Sequence, residues 1–155
     1  MPLGSLKVDE QYMREALKEA QRALEAKDVP VGCLIIHRGR PIGRASHQMK
    51  TLRDPTAHAA IIAITQAANA LQSDRLAGST MYVTQEPCSM CIGAILISGI
   101  NRLVIGTDDV KQGACGSVVN LPSNERLNRR LTVTKGVLPG ECASLLRKAT
   151  AGARL

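Results

Sequence analysis

Phenylalanine and tryptophan are absent from this chain, and the only tyrosines are Tyr12 and Tyr82. A core built on large rings is excluded, so the 45% of residues that are hydrophobic must form an interior of Leu, Ile, Val, Ala and Met. That apolar content also excludes an intrinsically disordered chain. Missing too are an apolar run approaching the roughly 20 residues that cross a bilayer and a basic-then-apolar leader. Both absences make a cytoplasmic protein the expectation, with no membrane partner. Without repeats, low-complexity tracts or a linker, the 155 residues read as one domain at 8–150 between short tails at 1–7 and 151–155.

Cysteine is scarce and odd in number. The five are not spread like a disulfide framework, and two stand as Cys88-Ser-Met-Cys91, which favours metal binding in a reducing compartment. Acids are outnumbered, 13 against 20 Lys and Arg, for a net charge of +7. The excess sits at the two ends: residues 1–60 carry +3, 61–119 carry −1 and 120–155 carry +5. Between 29 and 53 there are five cations (Arg38, Arg40, Arg44, Lys50, Arg53) and no acid. Such a stretch suits a phosphate-bearing partner, and equally a solvated hairpin and loop.

Apolar residues recur at helical spacing from Val8 to about Lys27, with Asp9 placed to cap the start. Val31–Ile36 and Pro41–Ala45, punctuated by Arg38-Gly39-Arg40, read as a hairpin. Asp54-Pro55-Thr56 breaks the chain ahead of a helix from His58 to about Leu71. Thr80–Thr84 is a β-branched strand, and Glu86-Pro87 ends it and opens a helix over Cys88–Ser98. Arg102–Ile105 and Leu131–Thr134 read as strands around a polar, Gly-rich loop, and Glu141–Lys148 as a terminal helix. The order α-β-β-α-β-α-β-β-α means an α/β sheet layered with helices.

A catalytic zinc takes three protein ligands and keeps one position open. His58, Cys88 and Cys91 supply that set: the cysteines lie three apart in a helix's first turn, where free N–H groups favour thiolate, and His58 opens another helix. A closed structural zinc needs a fourth ligand, for which Cys33, Cys115, Cys142, His37 and His47 are the candidates. Cys33 and Cys142 fit ordinary burial, and His37, beside Arg38, fits exposure.

At these residues the chain resembles the zinc-dependent nucleobase deaminases, whose signature is H-x-E…P-C-x-x-C. The match is His58-Ala59-Ala60 and Pro87-Cys88-Ser89-Met90-Cys91. Val29-Pro30-Val31-Gly32, Asp54-Pro55-Thr56-Ala57-His58, Tyr82-Val83-Thr84, Lys111-Gln112-Gly113-Ala114 and Leu127-Asn128 extend the likeness over roughly residues 8–147, toward the bacterial tRNA adenosine deaminases. The resemblance implies a three-layer cytidine deaminase-like fold, a central mixed five-stranded sheet with helices on both faces. It implies a zinc cofactor that activates a water to displace the amine of a base, and a homodimer packed through helices near the metal.

In that family a glutamate two residues after the histidine moves the proton from water to ring nitrogen and on to ammonia. Position 60 is alanine, which does neither, and loss of a positioned acid/base costs about 10²–10⁴-fold. The chain is expected to bind metal and not turn over. Three origins stay open: a substitution that silences the enzyme, a non-catalytic relative paired with a competent subunit, or recruitment of another acid, Glu86 and Asp54 being nearest in motif. The resemblance puts His47, Ala59, Glu86 and Asp109 on the substrate side. His47 stands where the family has an asparagine that holds the base's polar edge, and Asp109 where a loop acid lies beside the RNA backbone. His47 and Asp109 also read as ordinary loop and turn residues. Leu145-Leu146-Arg147-Lys148 departs from the Phe-Phe pair and basic run of the tRNA enzymes. Three functions follow: a tRNA adenosine-to-inosine deaminase, a deaminase of free guanine, cytosine or a related heterocycle, or a non-catalytic zinc-stabilised RNA-binding or partner subunit.

Overall fold

A computed structural model describes residues 5–128 and 130–153 of the chain. Helix α1 spans Leu6–Glu25. Its cap is Ser5 rather than Asp9: the Ser5 Oγ accepts the Val8 N–H at 3.2 Å. Asp9 lies inside the helix and is 1% exposed. Its carboxylate accepts both terminal N–H groups of Arg102 at 2.7 Å and the Tyr82 hydroxyl at 2.9 Å, which fastens α1 across the sheet.

The chain continues through β1 (Gly32–His37) and β2 (Arg40–Ser46), joined by Arg38 and Gly39 at positive φ as a two-residue hairpin requires. A short helix α2 (Met49–Leu52) occupies part of the stretch expected to be irregular. Then come α3 (Ala59–Leu71), β3 (Ser79–Gln85), α4 (Ser89–Ser98), β4 (Arg102–Thr107), a 3₁₀ turn at Leu121–Ser123, β5 (Thr132–Thr134) and α5 (Pro139–Ala153). The last helix is longer than expected and takes in residues 151–153, read above as tail. The proposed N-terminal tail falls partly in residues 1–4, outside the described residues.

The strands form one sheet in the order β2-β1-β3-β4-β5. β1 is antiparallel to β2 and β3, while β4 and β5 run parallel to β3, so the sheet is mixed as expected. Side chains alternate between two cores. Cys33, Ile35, Met81, Val83, Leu103 and Ile105 pack under α3 and α4. Leu34, Ile36, Tyr82 and Val104 face Met13 and Ala16 of α1 and Cys142 of α5. Helices therefore cover both faces of an aliphatic sheet. Gly32 admits no Cβ, because one would strike the Ala16 and Ala20 backbone, so α1 lies directly on β1.

Candidate active site

Two helix starts meet on the α3/α4 side of the sheet. His58 is the N-cap of α3, held extended after the Asp54 turn, in which the Asp54 carboxylate accepts the Thr56 N–H and hydroxyl. Cys88 is the N-cap of α4, delivered by β3 through Glu86-Pro87, and Cys91 is three residues on in the same turn. His58 Nδ1 lies 3.6 Å from Cys88 Sγ and 3.4 Å from Cys91 Sγ. A tetrahedral zinc with ordinary Zn–N and Zn–S bonds separates such donors by about 3.6 Å, so the three side chains stand at metal-ligand spacing.

Cys88 sits half-buried at the helix start, its thiol pulled down to about 5, first by the hydrogen bond from Cys91 and then, against burial, by the Cys91 and Met90 amides. Cys91 is pushed up in return by that bond and by burial. The donor set fits zinc. Among the described residues no fourth His, Cys, Asp or Glu joins the cluster, and one position stays open. Burial pushes the thiols of Cys115 and Cys142 up to about 12 and raises Cys33 further, as befits core cysteines. His37 does not simply face water: it is half-buried, its Nδ1 3.1 Å from the Ser79 hydroxyl.

His47 comes to the metal cluster. Its ring stacks on that of His58 with centroids 4.7 Å apart, and its Nδ1 accepts the Ala59 N–H at 2.8 Å. Burial, then the neighbouring His58, hold it down to about 3 against the pull of Asp28. The Ala59 N–H is thus engaged by His47 in this structure. Ala60 is 2% exposed and packs in the core beneath α3.

Glu86 faces the loop that follows β4. It is 2% exposed, and its carboxylate accepts the N–H groups of Asp109 (3.1 Å), Cys115 (2.8 Å) and Ser117 (3.2 Å) and the Ser117 hydroxyl. Burial works to raise its pKa, but these four donors outweigh it and hold the carboxyl below its usual range. Gly113 lies against the carboxylate with no room for a Cβ. Asp109 closes the same loop, its Oδ1 accepting the Lys111 and Gln112 N–H groups at 3.0 and 3.2 Å. Asp54 is exposed and committed to Thr56. Of the two acids nearest in motif, Glu86 thus has both oxygens engaged by that loop, and Asp54 has Oδ1 engaged by Thr56.

Residues not read from the sequence complete the frame. Asp28, 3% exposed, accepts the Val29 N–H at 2.9 Å and the Lys50 N–H at 3.0 Å, pinning α2 and the loop that carries His47. Lys135 donates to the Cys115 carbonyl at 3.2 Å and pairs with Asp108 at 3.0 Å, clasping the far side of the 108–117 loop. Lys135 has no motif around it, whereas Asp28 directly precedes Val29-Pro30-Val31-Gly32.

An imidazole and two thiols presented by two helix starts around one open position, on a mixed sheet layered by helices, define a zinc-dependent hydrolytic deaminase. The family model for the cytidine and deoxycytidylate deaminase zinc-binding region matches residues 6–107. The tRNA-specific adenosine deaminase of Bacillus subtilis is 43% identical over 138 residues, covering 89% of this chain and 86% of that protein. The Haemophilus influenzae enzyme of the same name is 45% identical over 139 residues, covering 89% and 80%. A solved tRNA:A34 deaminase, described as editing A to I at the wobble position of transfer RNA, superposes with a TM-score of 0.84 at 40% identity, covering 88% of this chain and 99% of that one. The guanine deaminase of Nitrosomonas europaea shares the fold at TM-score 0.80 and 26% identity, covering 92% and 84%. The chain belongs to the tRNA-specific adenosine deaminase family.

Proposed function

We propose that the chain binds the wobble adenosine of a tRNA anticodon loop at a zinc ion held by His58, Cys88 and Cys91, and that Ala60 keeps it from turning that adenosine over. The observation that carries this reading is the three-donor cluster with its open position, beside a residue 60 that has no proton to give. Zinc in such a site supplies a water activated near neutral pH. The chain's own part is to hold the base edge through His47 and to wall the pocket with the 108–117 loop, which Glu86 and Asp109 shape. Proton transfer to the ring nitrogen and the departing amine is the step without a residue.

The exposed cations suit an RNA partner, in keeping with the cytoplasmic location this reading proposes. Arg38, Arg40, Lys50 and Arg53 are exposed and have no ion-pair partner among the described residues; Arg44 pairs with Glu15 at 3.1 Å. Among the described residues no helix is long and apolar enough to cross a membrane. A homodimer is supported by the outer side of α4 and the adjoining loop, where Met90, Ile97, Val118 and Val119 are 38%, 78%, 56% and 48% exposed. Ile92 and Ile95 of that helix belong to the core instead. Sedimentation as a monomer at micromolar concentration overturns the dimer.

The test is Ala60→Glu, assayed for ammonia release from anticodon hairpins bearing adenosine and from free guanine, cytosine and adenine, with zinc content measured in parallel. Release from the adenosine hairpin, roughly 10²–10⁴-fold above the unsubstituted chain, is expected. Release from a free base alone overturns the tRNA assignment. A zinc-loaded variant that releases nothing favours the second reading, a non-catalytic RNA-binding or partner subunit, which Ala60 itself motivates.

A further inference from the structure

The cations between residues 29 and 53 divide between two ends of the molecule. β3 runs toward Glu86-Pro87-Cys88 and the metal cluster, while β1 runs the other way, so His37 pairs with Ser79 at the end of the sheet where β3 begins. At about 3.3 Å per residue, the length of β3 puts that end roughly 20 Å from the cluster. Lys50 and Arg53 belong to the α2 segment that joins His47 to His58 at the metal end. Arg38 and Arg40 lie at the far end. The strand starts there stand in a row: the Asn101 N–H donates to the Ser79 carbonyl at 3.1 Å, and the Thr132 N–H to the Asn101 carbonyl at 2.9 Å. The connections that enter β2, β3, β4 and β5 therefore share one surface. Their described residues include Arg38, Arg40, Arg75 and Arg130, all exposed and without an ion-pair partner among the described residues, against a single acid, Asp74. The Arg75 guanidinium lies over Gly99, 3.4 Å from where a Cβ would stand, between the starts of β3 and β4.

We infer that this edge of the sheet is a second RNA-binding surface, which takes the phosphate backbone of a helical RNA segment and is separate from the metal site. It goes beyond the deaminase reading and does not depend on it. Arginine presents a planar fork that matches two phosphate oxygens and keeps its charge at any working pH. These four have no partner to give up when phosphate arrives. Strands spaced by about 4.8 Å make the row roughly 15–19 Å long, enough to follow several successive phosphates. A protein partner or a membrane wants apolar side chains to bury at the centre of such a patch. The large apolar residues of these connections, Leu76, Ile100 and Leu131, are instead 1%, 1% and 8% exposed and belong to the core. A base seated at the metal cluster is roughly 20 Å away, so the surface takes a different RNA segment, either a stem of the same molecule or a second one.

The test uses the full zinc-loaded chain and a fluorescein-labelled, blunt-ended RNA duplex, which has no unpaired base to seat at the metal. Anisotropy is expected to show binding that weakens roughly hundredfold between about 50 and 200 mM salt, as contact with about four phosphates requires. Arg75→Glu with Arg130→Glu is expected to lower duplex affinity at least about tenfold and to make the salt slope shallower by about two. Both side chains are exposed, so circular dichroism and zinc content stay those of the unsubstituted chain. Lys18→Glu with Arg22→Glu changes net charge equally on the outer side of α1 and is expected to cost much less. Intact tRNA and its anticodon hairpin distinguish the two sources of phosphate. A greater loss for intact tRNA than for the hairpin assigns the surface to a stem of the same RNA, and a loss for the duplex alone assigns it to a second molecule. Duplex binding that ignores salt, that survives Arg75→Glu with Arg130→Glu, or that falls equally in the α1 variant overturns the surface. So does binding to phosphatidylserine vesicles without binding to the duplex. Each of these leaves the adenosine reading standing, because that reading is decided by ammonia release in Ala60→Glu.

Discussion

Replacing Glu86 by glutamine tests how the loop beside the metal cluster is held. One carboxylate oxygen accepts the Cys115 and Ser117 N–H groups, the other the Asp109 N–H and the Ser117 hydroxyl. A glutamine can keep its oxygen on the first pair and turn its amine to the second. Ser117 adapts, since a hydroxyl also accepts, but the Asp109 N–H then faces another donor. One part-buried amide left without an acceptor, together with loss of the charge, costs about 1–3 kcal/mol. Glu86→Ala abandons all four donors, including the buried Cys115 N–H, and costs more. Hydrogen exchange reads the effect directly: protection of the Asp109, Cys115 and Ser117 amides falls roughly ten- to hundredfold in Glu86→Gln and further in Glu86→Ala, while zinc content stays at that of the unsubstituted chain. The pH dependence has a definite sign. The folded carboxyl lies below its ordinary value of 4.5, so its contribution is present above that pH and is lost as pH falls through the lower folded value. Loop protection should drop on acidification before the global unfolding transition. Unchanged exchange at Cys115 and Ser117 in Glu86→Ala refutes the clasp and returns Glu86 to the substrate side.

The buried Asp9–Arg102 pair makes a separate prediction. Asp9→Asn leaves Arg102 largely buried without its charge partner and should cost roughly 3–5 kcal/mol in urea unfolding, whereas Asp9→Leu with Arg102→Met should cost much less, because the removed charges no longer need each other. A double variant as unstable as the single one contradicts that account. At the metal cluster, Cys88→Ser should lower zinc content and hairpin binding together while leaving the circular dichroism of the sheet intact, since the core beneath α3 and α4 is aliphatic. Unchanged zinc content in that variant removes Cys88 from the donor set.

How legible each part was depends on how local its physics is. The hairpin, the three main sheet strands and the helix starts at His58 and Cys88 follow from period, β-branching and proline placement, all written within a few residues. The zinc donors were legible for the same reason: each sits where a chain break or a proline forces a helix to begin, and its spacing is a sequence property. Asp9 was misread because an acid ahead of an amphipathic run looks like a cap, and nothing local reveals an arginine 93 residues away on β4. Glu86 likewise has partners remote in sequence. Its place before Pro87-Cys88 suggests the substrate, but a carboxylate that meets three N–H groups of a later loop is spent on that loop.

His47 shows what the fold adds to a residue read from the sequence. The sequence can place a histidine where a hydrogen-bonding residue belongs, but not which nitrogen carries the proton. That is decided by the Ala59 amide, which is free to point at Nδ1 only because His58 caps α3 in extended conformation. The bond that fixes the His47 ring therefore depends on the same backbone turn that presents the metal donor. Any substitution that shifts the His58 cap should disturb base preference and zinc affinity together, whereas one confined to the His47 ring should change preference alone.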